Sequence, residues 1–107
     1  MFNISSIYPK KEGSTFDYDY YLNTHIPMSI EKLSNSNGFK GVSVERGISI
    51  ETPSIESSFH AMCHYYFETL EEFLQAFEPH ANELLDDVKN YTNIEPIIQI
   101  NEVIIHK

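Results

Sequence analysis

The 107-residue sequence has one cysteine, no tryptophan, four glycines and only seven basic residues. The lone thiol, Cys63, excludes an intrachain disulfide and a cysteine-rich metal site, and a reducing, cytoplasmic setting is the expectation. Four glycines supply no phosphate-binding loop, dinucleotide fingerprint or nucleophile elbow, so no nucleotide cofactor is encoded. Seven basic residues stand against sixteen acidic ones, a formal charge of −9. That excess repels phosphate backbones and anionic lipid surfaces, which argues against nucleic-acid and membrane partners. No apolar run approaches the roughly 20 residues that cross a bilayer, and the opening MFNISSIYPKK lacks the basic-then-apolar order of a signal peptide.

What is present is apolar and aromatic. Apolar residues make up 41% of the chain and aromatics 13%, enough to fill one core at this length. Residues 1–107 are therefore read as a single domain. Phe2, Ile4 and Tyr8 mark a first strand that Pro9 to Gly13 breaks. From Phe16 to Leu33 the spacing turns helical, with Tyr18, Leu22, Ile26 and Leu33 near one stripe. Pro27 inside that helix removes a donor and crowds the carbonyl of Asn23, which predicts a distortion beside His25. Asn35-Ser36-Asn37-Gly38 stops the helix.

A second strand is predicted over Phe39 to Ile50, followed by a polar, turn-rich loop from Glu51 to Ser58. Phe59 to Phe67 is a third strand with two distinct faces: Phe59, Ala61, Cys63, Tyr65 and Phe67 on one, His60, Met62, His64 and Tyr66 on the other. Thr69 and Glu72 form a capping box for a second helix, whose apolar spacing continues to Tyr91 and in which Pro79 marks a kink or restart. Ile97 to Ile105 is the last strand. The order βαββαβ gives the α+β, ferredoxin-like arrangement: a four-stranded antiparallel sheet with both helices on one face. The sheet's second face would carry Met62, Tyr66 and one of two apolar sets in strand four, so a homodimer packed sheet to sheet is expected.

The segment Phe16-Asp17-Tyr18-Asp19-Tyr20-Tyr21-Leu22-Asn23-Thr24-His25-Ile26-Pro27-Met28 resembles the tyrosine-rich, histidine-then-proline signature of EthD proteins. Tyr66-Phe67-Glu68-Thr69-Leu70-Glu71-Glu72-Phe73 is similar to that family's strand-to-helix junction, and Asp87-Val88-Lys89-Asn90-Tyr91-Thr92-Asn93 to its turn before the last strand. The similarity runs over nearly the whole chain, with these three patterns in the expected order. The resemblance implies a dimeric α+β barrel, a fold group that includes monooxygenases, isomerases and cyclases of aromatic or lactone-like metabolites. It names no substrate, since fold alone does not fix a reaction.

His25 is the first candidate for chemistry, because an imidazole can both accept and donate a proton near neutrality. Tyr21, four residues earlier, shares its side of the helix. The competing reading of His25 is a helix residue satisfied by backbone groups near Pro27. Cys63 faces the helices and would be an acid or nucleophile if its pKa were lowered; otherwise it is a small core residue. Tyr18, Tyr65 and His80 are candidate ligand-binding residues, with His80 also readable as a surface histidine. His60 and His64 stand about 13 Å apart on one strand face, too far to share an ion, so no metal site is expected. The acidic pairs Glu71-Glu72 and Asp86-Asp87 read as the solvated face of the second helix. Three functions remain open: a cofactor-independent enzyme using His25 for proton transfer on a small planar metabolite, a non-catalytic carrier with the same pocket, and a purely structural homodimer.

Overall fold

A computed structural model describes residues 1–107. Four antiparallel strands, β1 (Phe2–Pro9), β2 (Phe39–Arg46), β3 (Phe59–Phe67) and β4 (Ile97–Glu102), form one sheet in the order β2-β3-β1-β4. Side-chain alternation sets its two faces. Along β3 Ala61, Cys63, Tyr65 and Phe67 are buried against the helices, while Met62, His64 and Tyr66 point to the outer face half-buried. In register, Ile4 lies opposite Tyr65 and Ser6 opposite Cys63, so β1 adds Ile4 and Tyr8 to the same core. The result is the α+β, ferredoxin-like fold that the βαββαβ order predicts. No helix is long and apolar enough to cross a membrane.

Two strands end earlier than their apolar pattern suggests. Beyond Arg46 the Gly47 amide still reaches the His60 carbonyl, but Ile50 and Ile55 then pair with each other, so the chain closes a loop on itself. β4 stops at Glu102, whose register partner is Phe2. One residue further on, the Val103 amide donates to the Met1 carbonyl. Ile104 and Ile105 consequently lie outside the sheet, 79% and 74% exposed.

The first helical arm is three pieces: α1 (Tyr18–Tyr20), a π-helical turn (Tyr21–His25) and α2 (Ile26–Leu33). Asp17 caps it, its carboxylate accepting from the Tyr20 amide. In the π turn the Ile26 amide donates to the Tyr21 carbonyl, five residues back. The distortion predicted next to Pro27 is therefore present, and it re-phases the buried stripe. Tyr21, His25, Ser29 and Leu33 face the sheet, whereas Leu22, placed on the inner stripe by unbroken α periodicity, is 47% exposed. The second arm is α3 (Leu70–Phe77), a 3-10 turn (Glu78–His80), α4 (Ala81–Asp86) and a closing 3-10 turn (Asp87–Asn90). Thr69 caps α3, accepting from the Glu72 amide, and Pro79 marks a restart of the helix.

The outer sheet face departs from the greasy surface expected of it. Ser5 and His64 Nδ1 are 2.6 Å apart, His64 Nε2 meets Glu45 Oε1 at 3.1 Å, and Asn101 donates to Asn3 and Ser5. Ile7 lies opposite both Met62 and Ile97 at one end, and Tyr66 packs on His106 at the other. The alternation within β4 explains the difference, since its outward set is Ile97, Gln99 and Asn101, while Ile98 and Ile100 turn to the helix side.

Re-phasing by the π turn gives opposite costs to two leucines on one arm. Leu33→Ala is expected to lower the unfolding free energy by about 2–5 kcal/mol and Leu22→Ala by less than about 1 kcal/mol. Urea denaturation measures both, and equal losses would contradict this assignment of faces.

Candidate functional site

Between sheet and helices lies a cavity of about 200 Å³ with 14 hydrophobic residues among its 18 wall residues. β1 contributes Ile4 and Tyr8, β3 contributes Cys63 and Tyr65, and the first arm contributes Tyr21 and His25. The wall includes no lysine, arginine, aspartate or glutamate. Its open side is also apolar: Leu74, Leu85, Ile98 and Ile100, all on the lining, are about half exposed.

Among the residues singled out from sequence, Tyr21, His25, Cys63 and Tyr65 converge here. Tyr18 does not reach the cavity. Its ring packs on Phe16 under the Arg46 guanidinium, and its hydroxyl donates to the His60 carbonyl. His80 closes the 3-10 turn and borders a shallow polar groove with Lys32 and Asn35 on the surface. His60 bonds to Ser14 and stacks on Phe16, while His64 belongs to the outer face. No three histidine, cysteine or acidic side chains come together as a metal site would need.

His25 is held by a residue that sequence reasoning left in solvent. Its Nδ1 lies 2.8 Å from Asp87 Oδ2, and the carboxylate also accepts from the Tyr20 hydroxyl at 2.6 Å and the Asn90 amide at 2.9 Å on Oδ1. Asp87 is only 13% exposed, so the pair Asp86-Asp87 is not simply a solvated face. Its position was a usable signal: a carboxylate in the last turns of a helix faces the negative end of the dipole and calls for another partner. With Nδ1 committed to Asp87, the hydrogen on that nitrogen is fixed and Nε2 keeps a lone pair as the ring's free position on the cavity wall. Burial draws the imidazole below its ordinary 6.5, against the opposing pull of Asp87. Burial would raise Asp87, but bonds from Tyr20, Asn90 and His25 outweigh it and hold the carboxyl below 3.8. At neutral pH the couple is a neutral imidazole beside a carboxylate.

The hydroxyls form a second layer. Tyr8 and Tyr91 share one hydrogen bond of 2.6 Å, and Tyr91 packs 4.7 Å from the His25 ring. Tyr91 is placed by a clamp in which the Asp17 amide donates to its carbonyl and Thr92 Oγ1 donates to the Thr15 carbonyl. Ser29 donates to the Ile26 carbonyl, so it receives its 2.6 Å bond from Tyr65. The Tyr21 hydroxyl has Tyr8 and Cys63 as neighbours, yet neither meets it in hydrogen-bond geometry, leaving it buried without a partner. Burial pushes Cys63 up to about 11 and Tyr8 up to about 12, and raises Tyr21, Tyr65 and Tyr91 as well. Cys63 is thus a protonated thiol at neutral pH, not a thiolate nucleophile. Tyr8, Ser29, Asp87 and Tyr91 are the residues that sequence reasoning missed.

A histidine whose folded pKa is lowered stabilises the fold fully above its unfolded value of 6.5, and that contribution is lost as pH falls from there towards the folded pKa. Stability should therefore decline as pH falls below about 6.5. His60 acts in the same direction, so His25→Gln isolates the His25 share by flattening the profile. Urea titrations across this range test it, and an unchanged slope in the variant would contradict a neutral buried His25.

The EthD domain model matches residues 12–95. An EthD-like protein from Ralstonia eutropha JMP134 is 33% identical with a TM-score of 0.87, over 99% of this chain and 94% of that one. An ethyl tert-butyl ether D (EthD) family protein from Bacillus halodurans C-125 is 22% identical with a TM-score of 0.62, over 97% and 99%. A protein assigned as an antibiotic biosynthesis monooxygenase from Bordetella bronchiseptica shares the fold at 15% identity and a TM-score of 0.56, over 97% and 98%. No curated protein matches. With four-fifths of its length under the domain model and a full-length relative at one-third identity, the chain belongs to the EthD family.

Proposed function

We propose that this protein binds a small, neutral, largely apolar metabolite in the cavity and transfers a proton on it through His25, without a cofactor. The observation that carries the reading is His25 on the wall of an uncharged cavity, bonded on its far nitrogen to Asp87, which lies outside that wall. A buried imidazole oriented by a carboxylate is the arrangement that makes a general base near neutral pH. The carrier reading uses the same apolar walls but assigns no task to Asp87. A purely structural dimer accounts for neither the cavity nor the pair.

The proposal extends to self-association. Ile97, Ile98, Ile100, Ile104 and Ile105, on or just beyond the edge strand β4, are between 48% and 79% exposed. A second copy laid over this region would cover them, together with the Ile7–Met62 end of the outer face, and would narrow the cavity's open side.

Thermal unfolding tests the binding. 2-Naphthol is expected to raise the midpoint and the anion 2-naphthoate is not, because no cation lines the cavity to receive a carboxylate. A larger shift with naphthoate, or none with either, would count against this site. Light scattering at micromolar concentration should report twice the 12.4 kDa chain mass, and a 12.4 kDa species alone would remove the dimer.

A further inference from the structure

Counting hydrogen-bond capacity around the cavity narrows what fits there. Tyr65 and Ser29 satisfy each other and the Ile26 carbonyl, so neither has a proton left for a ligand. Tyr8 and Tyr91 have two hydroxyl protons and one bond between them, so the accepting hydroxyl retains a proton. Tyr21 is 1% exposed, and its hydroxyl, beside Tyr8 and Cys63, meets no partner in hydrogen-bond geometry. An unpaired buried hydroxyl is a persistent cost to the fold, and it persists where something else is to be bound. The one ring nitrogen on the wall offers an acceptor of a different kind, the Nε2 lone pair of His25, beside the hydroxyl oxygen of Ser6. Its ring lies nearly parallel to that of Tyr21, 13° apart with centroids at 5.8 Å, so both side chains work on one region of the cavity.

We infer that the substrate is a flat, neutral carbonyl compound with an acidic hydrogen on the adjacent carbon, its oxygen bound by the Tyr21 hydroxyl and that hydrogen presented to Nε2 of His25. The inference rests on the proton-transfer reading above and specifies its substrate class. Nε2 takes the hydrogen as a proton, the C–H electron pair becomes a carbon–carbon double bond, and the carbonyl π pair moves onto oxygen. The resulting enolate oxygen receives the Tyr21 hydrogen bond, and Asp87 faces the newly formed imidazolium. Return of the proton from Nε2 to oxygen or to another carbon completes a tautomerisation or isomerisation with no oxidant, reductant or metal. A neutral ligand suits the walls, since a charged one would be buried without a counter-charge.

The probe is 2-tetralone, a flat neutral ketone with acidic hydrogens beside its carbonyl, incubated with the full chain in deuterated buffer. Loss of those hydrogens is followed by proton NMR, and binding by thermal unfolding. The wild-type chain should speed exchange above buffer. His25→Gln should return it to the buffer rate while the ketone still raises the unfolding midpoint. Tyr21→Phe should fold at least as stably, having lost an unpaired hydroxyl, and exchange about 10²-fold more slowly. Binding without exchange in the wild type overturns the carbonyl inference and leaves ligand binding standing. Wild-type exchange in Tyr21→Phe removes the hydroxyl from the step and overturns the inference as well. Failure of both 2-tetralone and 2-naphthol to bind removes the proton-transfer reading along with it.

Discussion

One hydrogen bond between two helical arms, His25 Nδ1 to Asp87 Oδ2 at 2.8 Å, sets the state of the imidazole on the cavity wall. Without it the imidazole would be one more aromatic ring in an apolar wall, free to hold its proton on either nitrogen. With it the proton is assigned and the opposite nitrogen is left as a base. The carboxylate can play this part because it is itself restrained: Tyr20 and Asn90 satisfy its other oxygen. Both supports lie near the surface, so the restraint begins at the rim of the molecule and ends at the cavity wall.

Two backbone features make the bond geometrically available. The π turn at Tyr21–His25 accommodates the donor missing at Pro27 and rotates Tyr21 and His25 onto the buried stripe together. Residues 13–17 are tied to residues 91–93 by the Asp17–Tyr91, Thr92–Thr15, Thr15–Asn93 and Asn93–Gly13 hydrogen bonds. That tie fixes the start of the first arm against the end of the second. The helix distortion and the loop clamp, far apart in sequence, therefore converge on one contact between residues 62 positions apart.

The fold was legible because its signals are periodic. Two-residue alternation in Phe59–Phe67 predicts which side of β3 is buried, and the Thr69–Glu72 capping box predicts the start of α3. Chain ends of elements were less legible, since they depend on partners: β4 stops at Glu102, opposite Phe2 of β1, which no local pattern in Ile97 to Ile105 records. The same holds for the site. Tyr21, His25, Cys63 and Tyr65 could be brought together from strand and helix geometry alone. Asp87 could not, because its place in the last turns of a helix signals a need for a partner but not which one, and that partner is a residue of another arm. Which apolar set of β4 lies on the outer face stayed open for a related reason, as a strand with apolar residues on both sides does not reveal which set faces the helices until its register is known.

The central claim is that Asp87 fixes His25 as a neutral imidazole with its hydrogen on Nδ1 and its lone pair on Nε2. Nitrogen-15 NMR of histidine-labelled protein at about pH 7, assigned with His25→Gln, reads this directly. The account predicts a protonated Nδ1 and an unprotonated Nε2 for His25. A hydrogen on Nε2 with Nδ1 bare, or an imidazolium protonated on both nitrogens, would contradict it.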